Sequence, residues 1–228
     1  MPITTCIFDA YGTLFDVAAA ARHAAREPEH AAIKDSWPQL AEQWRLKQLQ
    51  YSWLRAITGA HCDFWQVTQD ALDWALEKTD HDTDPALRTR LLQLYWQLGA
   101  YPEVPALLTA LKAAGMNTAI LSNGSPAMLQ GAVDSAGIAG TLDALLSVES
   151  VGIFKPDARV YDLVEARFGC GRDEVLFVSS NGWDAAAATG YGFTTAWVNR
   201  AGDPVDRLPW RPAHILNDLT HIAELAGI

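Results

Sequence analysis

Short apolar runs rich in β-branched residues alternate with amphipathic stretches along most of this chain, and the alternation breaks once. The run Ile3-Thr4-Thr5-Cys6-Ile7-Phe8 has the continuous apolar character of a parallel strand covered on both faces. After Asp16 the strand pattern vanishes for about eighty residues, far longer than a usual loop. Helical segments are predicted there near 38–59, 64–78 and 85–98, with Ser36 and Asp84 placed to cap two of them and Pro38 and Pro85 at helix starts. Leu40, Trp44, Lys47 and Tyr51 recur at helical spacing in the first. From Glu103 the alternation returns: helix 104–114 stopped by Gly115, strand 118–121, helix 126–136, strand 145–148, helix 158–168, strand 175–179, helix 183–189, strand 194–198 and a terminal helix near Leu219. This βαβ repetition predicts an α/β fold with a largely parallel sheet and right-handed crossovers. Residues 1–16 and 100–228 would form the core, and 17–99 an inserted helical cap domain.

Composition changes this picture little, but it removes some functions. With 228 residues and half of them hydrophobic, there is ample material for a core. Six of the nine tryptophans fall in the inserted segment, where a small helical bundle needs large side chains to reach adequate burial. Cys6, Cys62 and Cys170 are far apart, odd in number and outside any metal-binding spacing, which fits a reducing compartment. His61-Cys62-Asp63 cannot all face one metal from a helix or strand. A formal charge of −10 argues against nucleic acid or an anionic membrane as partner. No signal peptide and no apolar run of transmembrane length is apparent, so a cytoplasmic location is expected.

The candidate chemistry lies at the exits of the predicted strands. Asp9-Ala10-Tyr11-Gly12-Thr13 puts a carboxylate at the carboxyl end of the first strand, where open α/β sheets place their ligands. Short loops after two further strands would bring Ser122-Asn123 and Asn181 to Asp184 to the same edge. Gly190-Tyr191-Gly192 follows a helix, so it reads as a helix stop and not as a dinucleotide fingerprint. A carboxylate substrate would be repelled by the mean field, and Arg45 and Lys155 are the candidate local cations.

Read together, Asp9 to Thr13, Leu121-Ser122-Asn123-Gly124, Lys155-Pro156-Asp157 and Ser179-Ser180-Asn181-Gly182-Trp183-Asp184 resemble the haloacid dehalogenase superfamily in order and spacing. Trp44-Arg45-Leu46-Lys47-Gln48-Leu49 with Tyr51 and Trp53-Leu54-Arg55 resembles the L-2-haloacid dehalogenases within it. The resemblance implies a Rossmann-like core and hydrolysis of short-chain (S)-2-haloalkanoic acids to (R)-2-hydroxy acids and halide. Superfamily phosphatases carry a second Asp two residues after the nucleophile to protonate the departing alkoxide. Here that position is Tyr11, and a halide needs no proton to leave. Phosphatases also hold magnesium through acidic residues in the last motif, whereas this chain has Ser180 and Asn181 with only Asp184 charged. No cofactor or metal is therefore expected.

By the same resemblance Asp9 is the nucleophile that forms an ester with the second carbon of the substrate, and Lys155 keeps it ionised. Arg45 and Asn123 resemble the halide donors. Ser122 and backbone N–H groups of the Asp9 to Gly12 turn would hold the substrate carboxylate. Tyr11, Leu49, Phe64 and Trp183 look like the apolar wall around the alkyl chain. Asp184, oriented with Asn181 and Lys155, would activate the water that opens the ester, while Thr13, Tyr161 and Ser179 steady the carboxylates. A homodimer is implied as well. Two other readings remain: a phosphatase of the same fold, and a catalytically silent binding module.

Overall fold

The computed structural model describes residues 2–228. Six parallel strands form one sheet in the order β3-β2-β1-β4-β5-β6. They are β1 (Thr5–Phe8), β2 (Asn117–Ser122), β3 (Ala144–Ser147), β4 (Val175–Ser179), β5 (Thr194–Val198) and β6 (His214–Leu216). β1 and β4 are buried along their whole length, as their unbroken apolar sequences require of strands covered on both sides. Right-handed crossovers put helices α5 (Val104–Ala113) and α6 (Pro126–Ser135) on one face and α7 (Ala158–Phe168) and α8 (Gly182–Tyr191) on the other. The short α9 (Ile222–Leu225) packs on α5.

Between β1 and α5 the chain makes α1 (Ala19–Ala24), a 3₁₀ stretch Pro28–Ile33, α2 (Trp37–Thr58), α3 (Phe64–Lys78) and α4 (Pro85–Trp96). α2 lies along α3, and α1 packs on α4. Asp63 and Asp84 cap α3 and α4 through the N–H groups of Gln66 and Leu87. Gly59 ends α2 with a left-handed φ of 67°, a conformation open to residues without a Cβ. Trp44 donates its indole N–H to the Thr68 carbonyl, and Gln48 bonds Thr68 and Tyr95, so the buried polar groups between α2 and its neighbours are satisfied.

The sequence-based elements hold with four differences. Ser36 makes no cap bond and instead meets His81 Nε2 at 2.8 Å. α1 and the 3₁₀ stretch lie in an Ala-rich run with no strong amphipathic period, and β6 is a three-residue edge strand. The terminal helix begins at Ile222, after a turn in which Asp218 binds the Thr220 N–H. The Gly190-Tyr191-Gly192 stop is observed, with Gly192 in the left-handed region at the end of α8. All three cysteines are free, and Cys6 is buried in β1, where burial pushes its thiol up to about 12. No helix among the described residues is long and apolar enough to cross a membrane.

Candidate active site

β1 and β4 are neighbours at the point where the strand order reverses, the place where such sheets open a crevice at their carboxyl ends. Register fixes the geometry there. Phe8 of β1 pairs with Ile120 of β2 and with Val178 of β4. The next residues, Asp9, Leu121 and Ser179, therefore lie at one level at the carboxyl edge of the sheet. Asp9, Tyr11, Arg45, Leu49, Phe64, Ser122, Asn123, Lys155, Asn181 and Trp183 line one small cavity there.

Asp9 is nearly buried, and both its oxygens are engaged. Oδ2 accepts from Thr13 Oγ1 at 3.0 Å and Asn181 Nδ2 at 3.1 Å, and Oδ1 accepts from Lys155 Nζ at 3.3 Å. Lys155 Nζ also donates to Asp184 Oδ2 at 2.8 Å. Asp184 has no exposed surface and accepts from Ser179 Oγ at 3.0 Å and Tyr161 Oη at 2.8 Å. One buried ammonium thus bridges two buried carboxylates. Burial works against the Lys155 charge, yet Asp184 and Asp9 outweigh it and hold the ammonium above its ordinary pKa. Burial, with a further contribution from Asp9, raises Asp184 against the pull of Lys155. Burial and the nearby Asp184 push Tyr161 well above the normal phenol range, so it remains a donor.

Arg45 enters from α2, where its Nη2 donates to the Tyr11 carbonyl at 3.0 Å and to Asn181 Oδ1 at 3.1 Å. These bonds turn the Asn181 amide so that its N–H faces Asp9. The side-chain oxygen of Asn123 accepts from the Lys155 backbone N–H at 2.9 Å, which leaves its own N–H donors to the cavity. Leu46, directly after Arg45, is half exposed and points away from the pocket. Tyr11 is stacked on Tyr95 at 5.5 Å and flanked by Phe15 and Phe64.

One expectation is corrected in detail. The Asp9 and Gly12 N–H groups go to the Val178 and Phe15 carbonyls, leaving Ala10 and Tyr11 as the donors of that turn. Thr13 Oγ1 bonds Asp9, and Ser179 Oγ and Tyr161 Oη bond Asp184, so the three hydroxyls steady the two carboxylates that Lys155 bridges. Other contacts had no sequence signal. Ser180 donates its backbone N–H to Thr13 Oγ1 at 2.7 Å. Glu149 joins the sheet to the helical layer by accepting from the Phe64 N–H and pairing with His61. Arg200 donates to the Thr13 carbonyl and pairs with Glu103.

The residues present do not fit a magnesium site. A divalent cation near Asp9 and Asp184 would compete with the Lys155 ammonium, and Ser180 and Asn181 offer only neutral oxygens. Among the described residues no group of three or more His, Cys, Asp or Glu is placed to hold a metal ion.

Gly124 sets how close the β2 loop comes to the pocket wall. A Cβ there would lie 2.8 Å from Tyr11 Cε2 and 3.1 Å from Leu129 Cδ2. Gly124→Ala is expected to displace the Tyr11 ring and raise KM for a short substrate by about tenfold, the order expected from a misfitted apolar pocket. Steady-state kinetics check this, and an unchanged KM would show that the ring yields without consequence.

A buried aspartate at the end of a parallel strand, a lysine bridge to a second aspartate and a helical layer above define a class of α/β hydrolase. The chain matches the haloacid dehalogenase-like hydrolase family over residues 3–192. It is 42% identical over 224 residues to (S)-2-haloacid dehalogenase 1 of Pseudomonas sp. (strain CBS-3), covering 98% of this chain and 96% of that one. Haloacetate dehalogenase H-2 of Moraxella sp. (strain B) is 35% identical, with 99% of each chain covered. L-2-haloacid dehalogenase from Xanthobacter autotrophicus, solved with chloropropionic acid covalently bound, superposes with a TM-score of 0.86 at 35% identity, covering 99% of this chain and 98% of that one. The chain belongs to the haloacid dehalogenase-like hydrolases and, within them, to the (S)-2-haloacid dehalogenase family.

Proposed function

We propose that this protein hydrolyses (S)-2-haloalkanoic acids to (R)-2-hydroxyalkanoic acids and halide through an ester on Asp9. The observation that carries the reading is the Asp9 carboxylate, held at the strand-order reversal by Thr13, Asn181 and Lys155 with no acid at position 11. An ionised carboxylate oxygen has roughly two acceptor sites. Thr13 and Asn181 fill those of Oδ2, so Oδ1, with Lys155 alone, keeps the lone pair that attacks C2. The C–O bond forms as the carbon–halogen bond breaks, C2 inverts, and the halide takes the bonding pair. Arg45 and the Asn123 N–H groups receive the halide, and because their partners already hold them in place they need little reorganisation. Ser122 and the N–H groups of Ala10 and Tyr11 hold the substrate carboxylate, and Tyr11, Leu49, Phe64 and Trp183 surround its alkyl group.

Water then adds to the Asp9 acyl carbon and loses its proton to Asp184, whose raised pKa makes it a better base than an ordinary carboxylate. Asp184 has three protein donors against about four acceptor sites, so one remains for the water proton. Lys155 and Asn181 orient this step, and Tyr161 and Ser179 keep the Asp184 side chain in place. As the intermediate collapses, the departing C2 oxygen takes the proton back from Asp184 and leaves as the hydroxy acid, and the Asp9 carboxyl loses its remaining proton to solvent to restore the carboxylate. No cofactor or metal enters this scheme. Residues 17–99 act as a cap domain over a core of 1–16 and 100–228, because Arg45, Leu49 and Phe64 come from the former and Asp9, Lys155 and Asn181 from the latter.

We also assign a homodimer, supported by the half-exposed Leu46 and Leu54 on the outer side of α2. A cytoplasmic location is supported by three free cysteines. The partners are a small 2-haloalkanoate and halide, with neither nucleic acid nor membrane.

Halide release from separate (S)- and (R)-2-chloropropionate in the presence of chelator tests the reading. Release from the S form alone is expected. Release from neither, with chelator-sensitive hydrolysis of phosphate esters, would move the assignment to a phosphatase.

A further inference from the structure

The catalytic cavity is almost closed. Its volume is about 10 Å³, room for about one water molecule, so even a short substrate enters only when a wall side chain moves, and a longer alkyl chain needs space beyond the wall. On the other side of Trp183 lies a much larger apolar groove of about 700 Å³, walled by Trp53, Ile57, Phe154, Leu208 and Trp210. Trp183 lines both spaces. Its indole meets Trp53 edge-on at 5.3 Å, and its Nε1 is buried without a hydrogen-bond partner, so no polar bond holds the ring where it stands.

The groove has the chemistry of a tail site and not of an anion site. Asp157 is the charged residue in its lining, where it pairs with Arg159, and no Lys or Arg lines the groove to receive a carboxylate. Ile57, at 82% exposure, and Leu208 and Trp210 leave apolar surface uncovered around it.

We propose that this groove is a second binding subsite that takes the alkyl tail of medium-chain 2-haloalkanoates, with Trp183 as the movable partition. The carboxylate and C2 stay beside Ser122, Arg45 and Asp9, and the tail passes the displaced indole into the groove. This rests on the dehalogenase reading for its substrate class.

The test uses the wild type and the Ile57→Glu/Leu208→Glu variant, whose changes fall on exposed side chains outside the reacting centre. Two readouts are taken: kcat/KM for (S)-2-bromopropionate and (S)-2-bromooctanoate, and calorimetric binding of propionate and octanoate. Octanoate is expected to bind the wild type at least about tenfold tighter than propionate. In the variant that advantage should disappear and kcat/KM for bromooctanoate should fall at least about tenfold, with bromopropionate unchanged within about twofold. Equal binding of the two acids, or equal loss on both bromo substrates, overturns the proposal. So does an unchanged chain-length preference accompanied by a lower sedimentation coefficient, which would make the groove a contact between copies. If bromopropionate is turned over while octanoate binds no better than propionate, the groove fails and the dehalogenase reading stands. If neither substrate releases halide but octanoate binds tightly and the variant loses it, the dehalogenase reading fails and the tail site stands.

Discussion

Asp9→Asn is expected to lower halide release from (S)-2-chloropropionate by about five orders of magnitude or more, the size of loss seen when a covalent nucleophile is removed. The substitution keeps the side chain's shape. Thr13 and Asn181 would still surround it, and Lys155 would retain Asp184 as its partner. Folding should survive, so a circular-dichroism melt near that of the wild type separates chemistry from collapse. A single turnover in ¹⁸O-water with enzyme in excess sharpens the result. Label should enter the wild-type Asp9 carboxylate and leave the hydroxy acid unlabelled. Label in the product of that turnover would mean that water attacks C2 directly and that Asp9 is no nucleophile.

The second large effect belongs to Lys155→Met. Its ammonium is buried between Asp9 and Asp184, and the methionine would leave two carboxylates close together with no counter-charge. Breaking a buried pair from one side typically costs 3–5 kcal/mol, because the partner charge remains in a poor solvent. Urea unfolding should show a loss of roughly that order, and halide release should fall by about a thousandfold or more as the halves of the reaction lose their common cation. The pH dependence gives a sign. Because the folded protein holds Lys155 above 10.5, its stabilising contribution is present in full below that value and is lost as pH rises through the higher folded-state pKa. Wild type and variant should therefore converge in stability at strongly alkaline pH. A constant gap throughout would assign the loss to packing.

Much of this arrangement was legible before any coordinates, because the informative residues sit where strand patterns end. Asp9, Ser122 and Asn181 follow apolar runs that could only be buried strands, and parallel pairing then places them on one edge. Arg45 was less secure: its helix was readable, but its reach to Tyr11 and Asn181 depends on how α2 lies over the sheet. The sequence pattern is silent on Asp184 lying behind Lys155, since a carboxylate faced by an ammonium and an open one look alike in a string of letters. Ser36 misled, because a hydroxyl before a helix can bond a distant histidine as well as its own helix. The Trp183 groove escaped notice for a related reason. Leu208 and Trp210 lie in a loop beyond β5, where periodicity carries no information.

The Asp9 cluster also ties the history of the folding chain to its activity. Thr13 meets Ser180 across 167 residues, Asn181 meets Asp9 across 172, and Lys155 reaches Asp9 across 146. Contacts of such separation form only after the entropy of closing very long loops has been met, and parallel strand order demands the same closures. The Asp9 cluster therefore requires that β1 be paired with β4 as well as with β2. A chain that has paired β1 with β2 but not with β4 holds a carboxylate with neither its lysine-bearing network nor its amide donor in place. Such an intermediate has half a sheet and no enzyme.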